Sequence, residues 1–394
     1  MRIFRSELKK LLNWRLLLIL CLFTGLFYFM FLEFYLYSYP DGHPRTESVE
    51  LGKELVEKYG PSLDVAEQKE FKTVDYPAIK RAADRRLAGI EEFREAKITT
   101  IEALDALSDK TDDASRDLYD KLWDAFDKTI PRYPEKADDY YMYQEARDVV
   151  IPSIDTTQEN VRAQITSAPA GEARERVEEL EKREASMGIP ILSWVTADTW
   201  RDMVNYFFIL LLFTVAILIS PYLVRERRSG VRGIAYACRK GRSLFAVQFG
   251  ASLVAAALAE TVQAAVFFAL FFTSPHRVDR AFFGADISCA NWYWWDMTFG
   301  QYIAWSCAVL FMVAFGFAMV SFAVSKFCKN YITVLAVQIP LIFLAKKLAV
   351  WVRNNMFSIY RPRCFESLIC DLCILAPLAL CLFLLHREKA SDIR

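Results

Sequence analysis

No cysteine occurs between residues 41 and 202. A stretch of that length can bury an apolar core of its own, so it is expected to hold together without disulfides. The glycine-rich signatures that cradle phosphates or present a nucleophile are missing as well. There is no Gly-x-x-x-x-Gly-Lys-Ser/Thr loop, no Gly-x-Gly-x-x-Gly turn and no Gly-x-Ser-x-Gly elbow. Histidine is scarce: His43, His276 and His386 stand far apart, and none has a second histidine or a cysteine at helical spacing. Adjacent carboxylates such as Glu91-Glu92 and Asp138-Asp139 fall in a highly charged region, where solvated helix faces account for them. Nothing in this inventory argues for an enzyme.

What is present is apolar surface in excess. Hydrophobic residues make up 54% of the 394-residue chain and aromatic residues 14%, yet 24% is charged, so two solvents are implied. The formal net charge of zero conceals a segregation. Residues 41–202 carry 37 acidic and 24 basic side chains, leaving 11 acidic and 24 basic for the rest. An acidic soluble domain is inserted into a basic membrane protein.

Residues 1–15 place Ile3, Phe4, Leu8, Leu11 and Leu12 on one helical face, with Arg2, Arg5, Lys9 and Lys10 mostly on the other, as in a helix lying on the inner membrane surface. Residues 16–39 form an apolar run interrupted by Glu33, long enough to cross a bilayer. The run exceeds a normal signal-peptide core and has no Ala-x-Ala-like cleavage site, so it is read as a retained first span.

From 41 to 202 the pattern is that of soluble amphipathic helices. Tyr76, Ile79, Ala83, Leu87, Ile90 and Phe93 recur at spacings of three and four, as do Leu118, Leu122 and Phe126. Asp64 and Glu67 form a capping-box pattern, while Gly60-Pro61 and Gly188-Ile189-Pro190 are breaks. Residues 172–187 are nearly all charge with a thin stripe of Val177 and Leu180, which reads as a solvated arm of a helical hairpin or as a partner-binding coiled coil.

Five more apolar runs follow, at 203–224, 244–272, 302–325, 331–351 and 368–386, and residues 387–394 form a tail. The loop at 225–243 holds Arg225, Arg227, Arg228, Arg232, Arg239, Lys240 and Arg242 against one acid, Glu226. Positive loops stay inside, so this loop and both termini are placed in the cytoplasm. The fold class expected is an all-α membrane protein of six transmembrane helices, with an inserted helical extracytoplasmic domain at 41–202.

Within the spans the polar exceptions stand out. Glu260 lies near the middle of the third span with Gln263 on the same face, and a carboxylate at that depth must face protein, water or a cationic partner, or be protonated. Lys346, Lys347 and Asp371 are candidate partners. Glu260 either lines a translocation route or only joins helices. Pro340 and Pro377 should kink or break their helices. Cys370 and Cys373 have no second ligand pair and are read as core-facing, and Cys289 and Cys364 lie in outer loops, paired or free. The aromatic stretch 291–305 suits an interfacial belt, an alternative being a substrate-gripping cluster.

The basic loop resembles that of type-2 ABC exporter permeases. The residues that carry the resemblance are a span ending in Ser220-Pro221, then Glu226-Arg-Arg-Ser-Gly230, then Gly241-Arg242 and a new long span. The sequence departs from that family near Gln248, where a basic residue is usual. The resemblance covers the membrane parts, about half of the chain. It implies a short coupling helix that docks on a separate ATP-binding cassette subunit, with Glu226, Ser229, Gly230, Gly241 and Arg242 as the coupling residues. It further implies a homodimer or heterodimer of permeases, ATP and Mg held by the partner and no cofactor in this chain, and export of a substrate across a bacterial plasma membrane. Membrane lipid and an extracytoplasmic ligand or protein are the other partners expected; nucleic acid is not. The rival reading is a membrane-anchored sensor or scaffold whose outer domain binds an envelope ligand without transport.

Overall fold

The computed structural model describes residues 2–37, 46–131, 136–155, 170–230, 241–273 and 280–390, which are almost wholly helical. The chain divides into two compact units. One comprises Met1–Phe34, Arg201–Thr273 and Tyr302–Arg394; the other comprises Tyr35–Trp200 and Ser274–Gln301.

Among the described residues six helices are long and apolar enough to cross a membrane, and most of their length lies in the first unit: Trp14–Leu36, Val195–Arg228, Leu244–Thr273, Phe299–Phe327, Tyr331–Asn355 and Phe365–Glu388. Asn13 caps the first by accepting from the Arg15 amide at 3.1 Å, and Asn330 caps the fifth through the Thr333 amide at 2.8 Å. Burial sorts the six. The apolar windows of the second and fourth spans are 78% and 61% buried, against 17–28% for the others, so these two form the centre of the bundle. The outer four present Leu22, Phe29, Leu258, Val262, Ile332, Phe343, Leu372 and Phe383 outward, a surface suited to lipid.

Lipid is as apolar as leucine, so burial alone does not hold such helices together; close approach and polar cross-links do. Ser325 donates to the Ser220 carbonyl at 2.6 Å, joining the two central helices. Ser321 and Gln338 meet at 3.3 Å between the fourth and fifth spans. Pro377 lacks the N–H that would bond the Cys373 carbonyl, and that carbonyl instead abuts Gly316 of the fourth span: a Cβ there would lie 2.1 Å from it. Pro340 and Pro377 therefore do not break their helices, which run on to Asn355 and Ala390.

The second span differs from its sequence reading at both ends. Its helix runs from Trp194 to Arg228, through Pro221, where the apolar run alone gives 203–224. Asp198, Arg201 and Asp202 hide the upstream turns from a hydropathy reading.

In the second unit short amphipathic helices pack, among the described residues, on two apolar cores. One gathers Leu87, Phe93, Leu104, Leu122 and Phe126; the other gathers Leu51, Leu55, Phe71 and Ala146. The expected capping box is present, with Glu67 N to Asp64 Oδ1 and Asp64 N to Glu67 Oε2 both at 2.8 Å. The periodic stretch from Tyr76 to Phe93 spans two helices, Tyr76–Ala88 and Glu91–Glu95, with Gly89 between them. The strands among the described residues are the two-residue pair Ser62–Leu63 and Ile189–Pro190, antiparallel.

This unit also takes in Ser274–Gln301, so it is not the single insert 41–202. Phe282, fully buried, packs on Gly52, where an added Cβ would come within 2.8 Å of its ring. The helix Glu172–Met187 is no solvated arm: Ala173, Val177 and Leu180 are buried, and Arg176 reaches the Tyr293 carbonyl at 3.2 Å and Asp296 at 2.6 Å. Arg183 pairs with Asp286 at 2.8 Å and also with Asp296. The aromatic stretch divides accordingly: Tyr293 and Trp294 are buried in this unit, while Trp295 and Trp305 are exposed.

Candidate functional site

The basic loop begins where the second span ends, and its first residues are fixed to their surroundings. The helix ends at Arg228, and Gly230 follows with φ +71°, a left-handed turn that glycine adopts without strain. Ser229 Oγ donates to the Glu226 carbonyl at 2.9 Å. Residues 231–240, and the side chain of Arg242, lie outside the described residues; the third-span helix starts at Gly241.

Glu226 points inward. Its Oε1 accepts from Lys10 of the N-terminal helix Arg2–Leu11 at 2.8 Å, and its Oε2 accepts from Gln248 of the third span. Lys10 also donates to Glu7 at 2.6 Å, and Tyr222 of the second span donates to the other Glu7 oxygen. Arg225 donates to the Lys10 carbonyl at 3.0 Å. Two carboxylates, one ammonium, a phenol and an amide thus form one network that ties the N-terminal helix to the ends of two spans. Burial works against the Lys10 ammonium, but the hydrogen bonds to Glu226 and Glu7 outweigh it and raise the lysine above its ordinary value.

The neighbouring arginines extend the network. Arg227 donates to the carbonyls of Cys328, at 2.6 Å, and Lys326, which close the C-terminal end of the fourth span. Arg228 lies 5.4 Å from the Tyr331 ring centre at the start of the fifth span. Lys326 pairs with Glu388 at the end of the sixth span and lies 4.3 Å from the Phe245 ring centre. One end of every span but the first, together with the helix that precedes the first, is cross-linked around Glu226 and Arg227.

Sequence reasoning named Glu226 and Ser229 but missed Lys10, which bonds Glu226 directly, and Glu7, Tyr222 and Arg227, which extend the network. One signal was available: Glu7 is the only acid among the first fifteen residues. Gln248 was noted only as a departure from the family pattern, and its structural role is to hold Glu226.

Glu260 is 2% exposed in the third span, and its Oε1 has no hydrogen-bond partner among the described residues. Among the described residues no ion pair joins it to Lys346 or Lys347, and Asp371, a second acid, does not donate to its Oε1. A carboxylate at the centre of a span costs about 2.5–3.5 kcal/mol on insertion scales, so its retention here calls for an explanation. Gln263, one turn on, donates to Thr24 at 3.0 Å and to Thr214 at 2.8 Å, bridging the first and second spans.

No group of three or more metal-ligating side chains occurs among the described residues. Cys364, Cys370 and Cys373 carry free thiols, with Cys364 exposed and Cys373 buried; the Cys289 side chain lies outside the described residues. Comparison with protein-family models, with curated proteins and with solved structures gives no match. The fold itself defines the class: the chain is an all-α, multi-pass membrane protein.

Proposed function

We propose that the chain is the permease subunit of an ATP-driven exporter. It pairs with itself or a close relative, receives mechanical work from separate ATP-binding subunits at the loop between its second and third spans, and moves a substrate across the plasma membrane. The observation that carries this reading is the anchoring of Glu226. The first residue of the loop motif is bonded at once to Lys10 and Gln248, so a displacement of the loop is delivered directly to the N-terminal helix and to two spans.

Gly230 supplies the turn at which the chain leaves the second span, and the loop that it opens, with Gly241 and Arg242 at the far end, is the part offered to the ATP-binding subunit. Glu260 and Gln263 line the translocation route. ATP and Mg belong to the partner subunit. Both termini and the basic loop lie in the cytoplasm, and the inserted unit lies on the opposite side, where it meets an envelope ligand or protein.

Isolation of the tagged chain from native membranes tests this directly. An ATP-binding subunit should co-purify, and in proteoliposomes the complex should hydrolyse ATP and move a substrate. Gly230→Val forces a branched side chain into a left-handed backbone, which costs roughly 1–2 kcal/mol and tilts the loop. It should leave ATP hydrolysis running with transport lost. A purified chain that neither binds nor stimulates any ATPase refutes the reading.

A further inference from the structure

We propose that Glu260 and Gln263, with Thr24 and Thr214, bind a dehydrated monovalent cation, either an alkali-metal ion or an ammonium group, inside the span bundle. The first observation is an unpartnered acceptor. Glu260 is almost wholly buried, and its Oε1 receives no hydrogen bond from any described residue. The second lies beside it: Oε1 of Gln263, three residues on and therefore on the same helical face, is also buried without a partner among the described residues. The Gln263 amide is oriented by its other atom, since Nε2 donates to Thr24 Oγ1 at 3.0 Å and to Thr214 Oγ1 at 2.8 Å. Its oxygen thereby lies on the other side of the amide from the bonded nitrogen.

Each threonine hydroxyl accepts one hydrogen bond and keeps a second lone pair. The four side chains therefore offer a carboxylate, an amide oxygen and two hydroxyl oxygens, drawn from the first, second and third spans. Among the described residues no positive charge meets the Glu260 and Gln263 oxygens, and the two threonine hydroxyls, the donors in this group, are engaged with Gln263 Nε2 instead.

That inventory selects the ligand. All the candidate atoms are oxygens, which suits hard cations and N–H groups, whereas soft or transition metals favour the histidine and cysteine ligands that are absent here. One formal negative charge balances one positive charge, so a monovalent ion leaves the site neutral. Bound there, the cation ties three helices together through a single residue, Gln263, and occupancy is linked to how those helices pack. That the cation lies on a transport path rests on the permease reading; its binding does not.

A competing arrangement makes a different prediction. If the Gln263 amide is turned over, the threonine hydroxyls donate to its oxygen and its NH₂ faces Glu260, which is then satisfied within the protein and has no need of a cation.

The test uses the full chain, purified in nanodiscs without any ATPase and equilibrated in N-methylglucamine chloride. Sodium, potassium, ammonium and methylammonium chlorides are added separately at constant ionic strength, and thermal unfolding is followed. At least one cation should raise the midpoint along a saturating curve. Sodium or potassium acting alone marks an alkali-metal site, and ammonium or methylammonium acting alone marks an amine site. Glu260→Gln, isosteric and uncharged, should abolish the response. If that variant fails to fold, Thr214→Val carries the test and should weaken the apparent affinity at least tenfold. The same midpoint in all four salts, a response retained in Glu260→Gln, or an unchanged affinity in Thr214→Val overturns the proposal. ATP-driven flux is measured separately, so loss of the cation site alone leaves the exporter reading standing.

Discussion

Replacing Lys10 tests the network around the basic loop. Its ammonium stands between two carboxylates, at 2.6 Å from Glu7 and 2.8 Å from Glu226. The side chains of those acids are 5% and 13% exposed, whereas that of Lys10 is 38% exposed, so solvent screens part of the attraction. A hydrogen bond to a charged group is worth about 1.5–3 kcal/mol when buried; halving that for exposure and counting two bonds gives roughly 1.5–3 kcal/mol for Lys10→Met. The variant also leaves two carboxylates facing each other, with Tyr222 and Gln248 as the remaining donors. Glu226→Gln should cost less than Lys10→Met, because Lys10 keeps Glu7. In the double variant one of the stranded carboxylates is gone, so the two costs should fail to add by about 1 kcal/mol. Unfolding in mixed detergent micelles, followed by tryptophan fluorescence, supplies all four corners of the cycle. Additive costs, within about 0.3–0.5 kcal/mol, refute the account of a shared network.

The other predictions concern pH, packing and the second unit. Lys10 has its folded pKa raised above the ordinary 10.5, so its contribution is complete below that value and is lost as pH climbs through the folded one. A spin label at exposed position 3 should report a loosened N-terminal helix only in strong alkali, and Lys10→Arg should move that onset still higher. Gly316→Ala pushes a methyl group against the Cys373 carbonyl, which must retreat by almost 1 Å, at a cost of roughly 1–3 kcal/mol; an unchanged unfolding midpoint contradicts the close approach of the fourth and sixth spans. Arg176→Met removes bonds to Tyr293, Asp296 and Glu179 from a side chain that is 7% exposed. The expected loss is about 1–3 kcal/mol, because both carboxylates stay hydrated, and protease sensitivity around 286–296 should rise.

The spans were legible because a bilayer demands about twenty apolar residues in a row, and the first was read as 16–39 where the helix spans Trp14–Leu36. Local chemistry was equally legible, as the Asp64 and Glu67 cap illustrates. Long-range placement was not. The helix Glu172–Met187 is so rich in charge that it reads as solvated, yet Arg176 and Arg183 bury their stems against residues more than a hundred positions away. Ser274–Gln301 joins the inserted unit through Phe282 and Gly52, a contact no periodicity announces. At the candidate site the loop motif drew attention to Glu226, but its partner Lys10 lies 216 residues upstream, on a helix whose basic residues suggest only a membrane surface. The sequence flagged Glu260 for its cost, but not the threonines that hold its neighbour Gln263.

The central claim is that work enters at the basic loop and passes through Glu226 into the bundle. The decisive measurement is paired ATP hydrolysis and substrate flux in proteoliposomes, comparing the native complex with Glu226→Lys. The account predicts that hydrolysis by the bound ATPase continues while flux falls at least tenfold, because a lysine at that position repels Lys10 and frees the N-terminal helix. Flux that keeps pace with hydrolysis in the variant contradicts it.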